Sequence, residues 1–347
     1  MRKSQNDFFS IPEDDLVHIL RRASAEWEEL RGKRLFITGG TGFFGRWLLA
    51  ALRYADLKLG LGFRLTVLSR DPVKFLQENP SWAAYPALRF QQGHVAGFSP
   101  GEEGYDYIFH AATDTTAFTT SVEEEERSRT IVEGTRRILE LARKSGARRM
   151  LYVSSGAVYG AEAGKLSGAS EADYASARAV IPYGEAKREA ERLCEGAGID
   201  FVTARAFAFL GPHLPLDAHF AAGNFLRDAL RGGPILVRGD GSARRSYLHP
   251  ADLVVWLLRI LFRGKRACAY NVGSDEAVSM AQLARHIAET AEPSLEVVIQ
   301  AVQAEGPHNI YLPDIRRARA ELNLDVTIPL REAIARTMAF LRARDSI

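Results

Sequence analysis

Tyr183 and Lys187 stand four residues apart in Tyr183-Gly184-Glu185-Ala186-Lys187. On a helix that spacing puts a phenol and an ammonium on one face. A free tyrosine titrates near 10 and is a poor base at neutral pH. A nearby cation favours the phenolate and draws that value down. Bringing it down by about three pH units takes roughly 4 kcal/mol of preferential stabilisation. Many helices contain such a pair by chance. This one gains weight from its place, one element after Ser154-Ser155-Gly156-Ala157-Val158-Tyr159-Gly160, where hydroxyls close a strand.

A second pattern lies upstream. Thr38-Gly39-Gly40-Thr41-Gly42-Phe43-Phe44-Gly45 joins an apolar strand to a helix. In that setting Gly39 makes the tight turn, Gly42 lets the backbone approach a pyrophosphate, and Gly45 lets helix and sheet pack closely. Free amides at the helix start face the phosphates. A positive nicotinamide bound there would join Lys187 in stabilising the phenolate. The second strand ends Val67-Leu68-Ser69-Arg70-Asp71. An acid there grips the free ribose hydroxyls of NAD. Ser69 and Arg70 instead suit a 2′-phosphate. The cofactor is therefore expected to be NADP or NAD, with NADP favoured; the alternative is a solvated Arg70 with Asp71 on the ribose.

These residues need a scaffold. Short apolar runs at 34–38, 63–68, 88–90, 107–110, 149–154 and 201–206 alternate with helical segments, among them 130–144 and 182–194. Such alternation predicts an α/β fold, a Rossmann-type doubly wound parallel sheet that binds its ligand beyond the carboxyl ends of its strands. Past residue 206 glycine and proline are denser, and helical segments recur at 219–231, 250–263, 279–291 and 329–343. We read a smaller, mostly helical substrate lobe over 207–246 and 276–347. The dinucleotide domain then spans 34–206 and about 247–275. Residues 1–33 form a helical extension, with an amphipathic helix over 10–30 and capping-box spacing at Ser10 and Glu13. The acidic run Glu123 to Glu126 reads as a solvated helix start.

Composition sets the outer limits. The chain has 347 residues, 46% hydrophobic and 25% charged, which fits a globular enzyme and excludes a mainly disordered chain. Lys and Arg number 45 against 43 Asp and Glu, so charge gives no pull toward nucleic acid or a membrane. Two cysteines and a polar start suggest a reducing cytoplasm. The eight histidines show no metal-ligand spacing, and no metal is expected. His110, His213 and His219 read as packing or hydrogen-bond bridges.

Together the patterns resemble the extended short-chain dehydrogenase/reductase family, specifically its nucleotide-sugar epimerase/dehydratase branch. The matches are TGGTGFFG at 38–45, SSGAVYG at 154–160, YGEAK at 183–187, RAFAFLGP at 205–212, GDGSARRSYLHPADL at 239–253 and YNVG at 270–273. The resemblance runs from about 34 to 330. It implies that Tyr183 transfers the proton and that Lys187 holds the nicotinamide ribose and depresses the Tyr183 pKa. Ser155 would hydrogen-bond the reacting sugar oxygen, with Ser154 as the substitute if the register is off by one. Thr41, Phe43, Phe44, Ala111 and Ala112 would join the cofactor site. Arg245 and Asn224 would contact the substrate's diphosphate; the plainer readings are surface charge for Arg244 or Arg245 and a helix cap for Asn224. A nucleotide-sugar substrate and a homodimer through the 130s and 180s helices follow from the same resemblance.

The departures narrow the chemistry. Dehydratases of this branch follow the strand hydroxyl with acids, where this chain has Gly156 and Ala157. Elimination needs a base for one proton and an acid for the leaving hydroxyl. A 4,6-dehydratase is thus disfavoured unless Asp114 or a lobe histidine takes the part. Three further positions differ from the family habit: Gly93-His94 at the third strand end, Ile131 before Gly134-Thr135, and Arg205-Ala206-Phe207-Ala208. What remains is hydride transfer at a sugar carbon, as an epimerase or a keto-sugar reductase. The alternatives are a reductase of a non-sugar carbonyl compound, or a catalytically idle protein that senses dinucleotide.

Overall fold

The computed structural model describes residues 10–101, 103–113, 120–160, 164–217, 220–291, 293–301 and 309–345. Asp114 and His219 lie outside the described residues. The N-terminal segment holds two helices, α1 (Glu13–Arg22) and α2 (Ser24–Glu29), where the sequence suggests one. They part at Ala23, whose backbone sits at φ −101°, ψ 26°. The expected capping box is not formed, because Pro12 takes the N-cap position without a side-chain cap. The Ser10 carbonyl accepts instead from His213 Nε2 at 2.8 Å, and the Glu13 carboxylate accepts from the Tyr54 hydroxyl at 3.2 Å. Tertiary partners thus override the local cap pattern.

The main body follows. It runs β1 (Arg34–Thr38), α3 (Phe43–Leu59), β2 (Arg64–Ser69), α4 (Pro72–Glu78), β3 (Leu88–Gln92), β4 (Tyr107–His110), α5 (Ser121–Ser145), β5 (Arg149–Ser155), α6 (Pro182–Glu195) and β6 (Phe201–Ala206). After β6 come α7 (Ala221–Leu230), β7 (Ile235–Val237), β8 (Arg244–Arg245), α8 (Pro250–Arg263) and β9 (Ala269–Val272). The chain ends with β10 (Val278–Ser279), α9 (Met280–Ala288), β11 (Val297–Ile299), β12 (Ile310–Tyr311), α10 (Arg316–Leu322) and α11 (Leu330–Asp345). Seven strands form one sheet in the order β3-β2-β1-β4-β5-β6-β9, with every pairing parallel. This is the Rossmann-type α/β sheet the alternation predicts.

Strand side chains alternate between two cores. Leu35, Ile37, Val67 and Phe109 join the cluster that includes Trp47 and Leu52 of α3 and Leu253 and Leu257 of α8. Phe36, Ile108, Met150 and Tyr152 join the other, with Ile131 and Ile138 of α5 and Ala186 and Ala190 of α6. Both faces are covered, which is why the central strands read as unbroken apolar runs. The extension is tied down by charge. Glu26 accepts from Arg259 of α8 at 2.8 Å, and Asp15 pairs with Arg336 of α11.

Two small sheets lie outside this body. β8 pairs antiparallel with β10 and parallel with β12, while β7 pairs with β11. Among the described residues, no helix is long and apolar enough to cross a membrane.

Candidate active site

The β1–α3 turn is built around glycine. Gly39 has φ +72°, and a Cβ there would stand 2.7 Å from the Ala111 carbonyl and 2.8 Å from the Ala112 nitrogen. A Cβ on Gly45 would lie 2.2 Å from the Gly39 carbonyl oxygen. At Gly42 the nearest atom would be 3.4 Å away. The turn is therefore closed by backbone at Gly39 and Gly45 and open at Gly42. Gly42 is also the N-cap of α3, and no side chain caps it. The Phe43, Phe44 and Gly45 amides start this 17-residue helix beside Thr41, at the positive end of its dipole. This cradle fits a dinucleotide pyrophosphate.

The end of β4 is fixed against that turn by a buried relay. The Ala112 N–H donates to Thr38 Oγ1 at 3.0 Å. Thr38 Oγ1 lies 2.9 Å from His110 Nδ1, and His110 Nε2 lies 3.1 Å from Thr135 Oγ1. Thr135 spends its own proton on the Ile131 carbonyl at 2.8 Å, so Nε2 must be the protonated ring nitrogen and Nδ1 an acceptor. Burial pushes the imidazole down to about 3, so it is neutral. His110 holds Ala111 and Ala112 in place and touches no open site. His213 likewise bridges, with its ring 4.9 Å from that of Phe340 and its pKa pushed down to about 4 by burial.

At the end of β2, Ser69 is buried and its carbonyl accepts from Gly93 at 2.9 Å, while Arg70 is exposed. Asp71 caps α4, its carboxylate accepting from Lys74 N–H at 2.9 Å.

Lys187 draws the strand ends together. Its amine donates to Thr113 Oγ1 and to the Val153 carbonyl, each at 2.8 Å. It lies 5.1 Å from the Tyr152 ring centroid and 5.9 Å from that of Tyr183. Burial pushes the amine down to about 7, against the upward pull of the Glu191 carboxylate one turn along α6. Tyr183 is half-buried at the start of α6. Burial raises its phenol above the ordinary 10, and two groups oppose that rise: the Ser155 hydroxyl, by hydrogen bonding, and the Arg127 guanidinium, by charge. The cation over the phenol is thus Arg127 of α5, with its guanidinium carbon 4.9 Å from the ring centroid. Lys187, the cation the family pattern implies, stands farther off.

Ser155 ends β5 and is buried; its Oγ accepts from the Ala157 N–H at 3.1 Å and lies 3.5 Å from the Tyr311 hydroxyl. Ser154 is buried too, but its Oγ has no hydrogen-bond partner. Ser155 thus has polar neighbours at the strand end that Ser154 lacks. Tyr311 comes from β12 and packs on Phe207 with ring centroids 4.8 Å apart. Arg245 sits beside it, its guanidinium carbon 5.6 Å from the Tyr311 ring. Arg245 donates to the Arg244 and Asn309 carbonyls at 2.8 and 2.9 Å and to Asn309 Oδ1 at 3.0 Å. Among the described residues no carboxylate pairs with it. Asn224 lies within α7, whose N-cap is Phe220, so it does not cap that helix. Its Oδ1 accepts from Arg227 at 3.0 Å.

Beneath the site, Arg205 is buried and donates to both Glu191 oxygens at 3.1 and 2.7 Å and to the Tyr159 hydroxyl at 2.9 Å. Tyr159 in turn donates to Asn271 of β9 at 2.7 Å. This network fixes α6 against β6 and β9.

Sequence reasoning missed Arg127, Thr113 and Tyr311. Arg127 follows the acidic run at 123–126 and sits one helical turn before Ile131, a spacing that carries no chemical signature. Tyr311 lies in a two-residue strand with no periodicity to read.

Comparison with known proteins places the chain among relatives. The chain is 29% identical over 325 residues to UDP-glucuronic acid decarboxylase 1 of Arabidopsis thaliana, covering 90% of this chain and 70% of the relative. The fold is similar to that of UDP-glucose 4-epimerase of Thermotoga maritima with UDP-glucose, at a TM-score of 0.75 and 21% identity, covering 90% and 99% of the two chains. It is also similar to the Bordetella bronchiseptica enzyme WbmF in complex with NAD+ and UDP, at 0.72 and 19%, covering 92% and 95%. Residues 35–273 match the NAD dependent epimerase/dehydratase family, and the chain belongs to that family.

Proposed function

We propose that the chain is an enzyme that binds a nicotinamide dinucleotide on the Gly39–Gly45 turn and transforms a nucleotide-activated sugar by hydride transfer at one sugar carbon. The observation that carries this reading is the pair of hydrogen bonds that Lys187 donates, to Thr113 beyond β4 and to Val153 of β5. One amine thereby ties the cofactor edge of the sheet to the Ser155–Tyr183 pair. The bound nicotinamide supplies reversible hydride acceptance. The chain's own residues do the rest. Tyr183 takes the sugar hydroxyl's proton and returns it, while Ser155 orients the reacting oxygen. Lys187 holds the ribose with its remaining N–H, and Arg245 meets the diphosphate. We assign the cofactor to residues 34–206 with 247–275, and the sugar nucleotide to 207–246 with 276–347. NADP is the favoured cofactor, since Arg70 is exposed beside Ser69 and Asp71 is engaged as a cap.

Gly156 and Ala157 carry no acid to assist elimination, so the oxidised sugar is re-reduced, as in an epimerase, or the enzyme reduces a keto-sugar presented to it. A second reading draws on the relative named above. If the carbon next to the oxidised one carries a carboxylate, oxidation gives a β-keto acid; loss of CO2 leaves an enolate that takes up a proton, and the keto-pentose would then take back the hydride. Such a β-keto acid loses CO2 without an acid side chain at 156 or 157. The homodimer assigned to the 130s and 180s helices has support in apolar side chains left exposed near these helices, Val122, Val180 and Ile181. A reducing cytoplasm remains the expected setting.

The test is a panel of UDP- and dTDP-sugars, neutral and uronic, with and without NADPH. Stoichiometric NADPH loss identifies a reductase. An isomer without net redox change identifies an epimerase. Release of CO2 with a pentose product identifies a decarboxylase. Tyr183→Phe should abolish each of these while retaining cofactor affinity within about threefold. Undiminished turnover in that variant removes the mechanism.

A further inference from the structure

We propose that Arg127 of α5, not Lys187 alone, is the cation that sets the ionisation of Tyr183, making it a positioning residue for proton transfer. The inference rests on the reading of Tyr183 as the proton-transferring group. Its own evidence is geometric. The Arg127 guanidinium carbon stands 4.9 Å from the Tyr183 ring centroid, against 5.9 Å for the Lys187 amine. Two of the three Lys187 N–H bonds are spent on Thr113 and Val153. The amine also leans toward Tyr152, at 5.1 Å.

A guanidinium over a neutral ring is held weakly; over a phenolate it meets a full opposite charge. The difference favours the ionised form. Arg127 is mostly buried, with 14% of its side chain exposed, so solvent screens this interaction little. Lys187, by contrast, is drawn toward its neutral form by burial, which weakens its own field at neutral pH.

Other groups also act on the phenol. The Ser155 hydroxyl of β5 lowers its pKa. Tyr311 of β12 interacts with it electrostatically, and so does Tyr152 of β5. On α5, Glu124 pairs with Arg127 at 3.5 Å and partly offsets its charge. Removing Arg127's charge therefore raises the Tyr183 midpoint, and removing Glu124's charge lowers it.

The experiment titrates Tyr183 directly, without substrate, in the full chain saturated with whichever oxidised dinucleotide, NADP+ or NAD+, it binds more tightly. Tyrosinate absorbance is recorded from pH 6 to 11, and the Tyr183→Phe curve is subtracted to isolate one phenol. Arg127→Met should move that midpoint up by about one pH unit or more, and Arg127→Lys should recover most of the shift. Glu124→Gln should move it down, which keeps the test decisive if Arg127→Met folds poorly. A midpoint unchanged within 0.2 units in both Arg127→Met and Glu124→Gln overturns the proposal. So does a parent protein with no Tyr183 step below pH 11. Once a substrate is known, the acid limb of kcat should shift with the spectroscopic midpoint while KM stays constant. Because the titration needs no turnover, it can fail while the hydride-transfer reading stands, and the substrate panel can fail while the titration holds.

Discussion

A Cβ added to Gly156 would lie 2.7 Å from the Tyr311 hydroxyl and equally close to two ring atoms of Phe207. The position after the strand hydroxyl is small because a phenol from the far end of the chain fills the space beside it. An acid there would displace Tyr311 as well as change the chemistry. Gly156→Ala should cost about 1–3 kcal/mol of stability and at least tenfold in kcat. Tyr311→Phe in the Gly156→Ala background should recover part of the lost Tm, since it removes one of the three atoms that would stand 2.7 Å from the new methyl. Thermal melts and steady-state rates measure both. A Gly156→Ala protein with parental Tm and kcat would mean that Tyr311 is not seated there.

The two cradle glycines should behave differently from the open one. Gly45→Ala puts a Cβ 2.2 Å from the Gly39 carbonyl oxygen, a backbone atom that cannot swing away. That variant should be recovered poorly or melt well below the parent. Gly42→Ala meets only ordinary contact at 3.4 Å. It should fold with a Tm near the parent's and lose tenfold or more in dinucleotide affinity, because the methyl occupies the phosphate's approach. Melting curves and fluorescence titrations with the dinucleotide separate the two effects. Full affinity in Gly42→Ala would show that the pyrophosphate does not cross this turn.

The sheet and the cradle were legible because each residue's local choice agrees with the whole. Leu35, Phe36 and Ile37 are buried on alternate faces, so the run is apolar throughout and reads as a strand. Gly39, Gly42 and Gly45 sit between that strand and an apolar helix, where their spacing has a mechanical meaning. The Tyr183–Lys187 pair was legible for the same reason, one helical turn on a shared face. The Lys187 partners were not legible, because sequence shows its neighbour in the helix and not its bonds to Thr113 and Val153. Arg127 was hidden beside a run of acids that reads as a solvated helix start. Tyr311 reaches Ser155 across 156 residues of chain, a contact made by tertiary folding alone. Ser10 and Glu13 had the right spacing for a cap, but Pro12 and the partners His213 and Tyr54 decided otherwise.

Cofactor choice should rest on Arg70. A 2′-phosphate offers the Arg70 guanidinium a charge-assisted bond that a free ribose hydroxyl does not. Loss of such a bond is worth about 1.5–3 kcal/mol, or roughly tenfold to a hundredfold in affinity. Arg70→Ala should weaken NADPH by that factor and NADH by less than threefold. Paired titrations with both nucleotides measure it. Equal weakening of the two, or a parent protein that prefers NADH, would move the ribose contact away from Arg70.

Lys187 should cost the protein stability in return for its role. Burial holds its amine at about 7 in the folded chain, against an ordinary 10.5. Between those two values the unfolded chain binds a proton that the folded chain does not, so this group makes stability fall as pH drops from about 10 to about 7. Below about 7 both states carry the proton and the slope from this group ends. Lys187→Met keeps the apolar stem and removes the titration. Its Tm advantage over the parent should therefore grow as pH falls through that window and level off below it. At neutral pH the difference is on the order of 3 kcal/mol, set below the full shift because the variant also forfeits the bonds to Thr113 and Val153. Turnover should fall at least a hundredfold in the same variant, since the ribose and the strand ends lose their common anchor. Melts at half-unit steps from pH 6 to pH 10, with cofactor absent, resolve the trend. An offset between the two proteins that is constant across the window would place a charged, well-solvated amine at 187, against the burial the structure gives it.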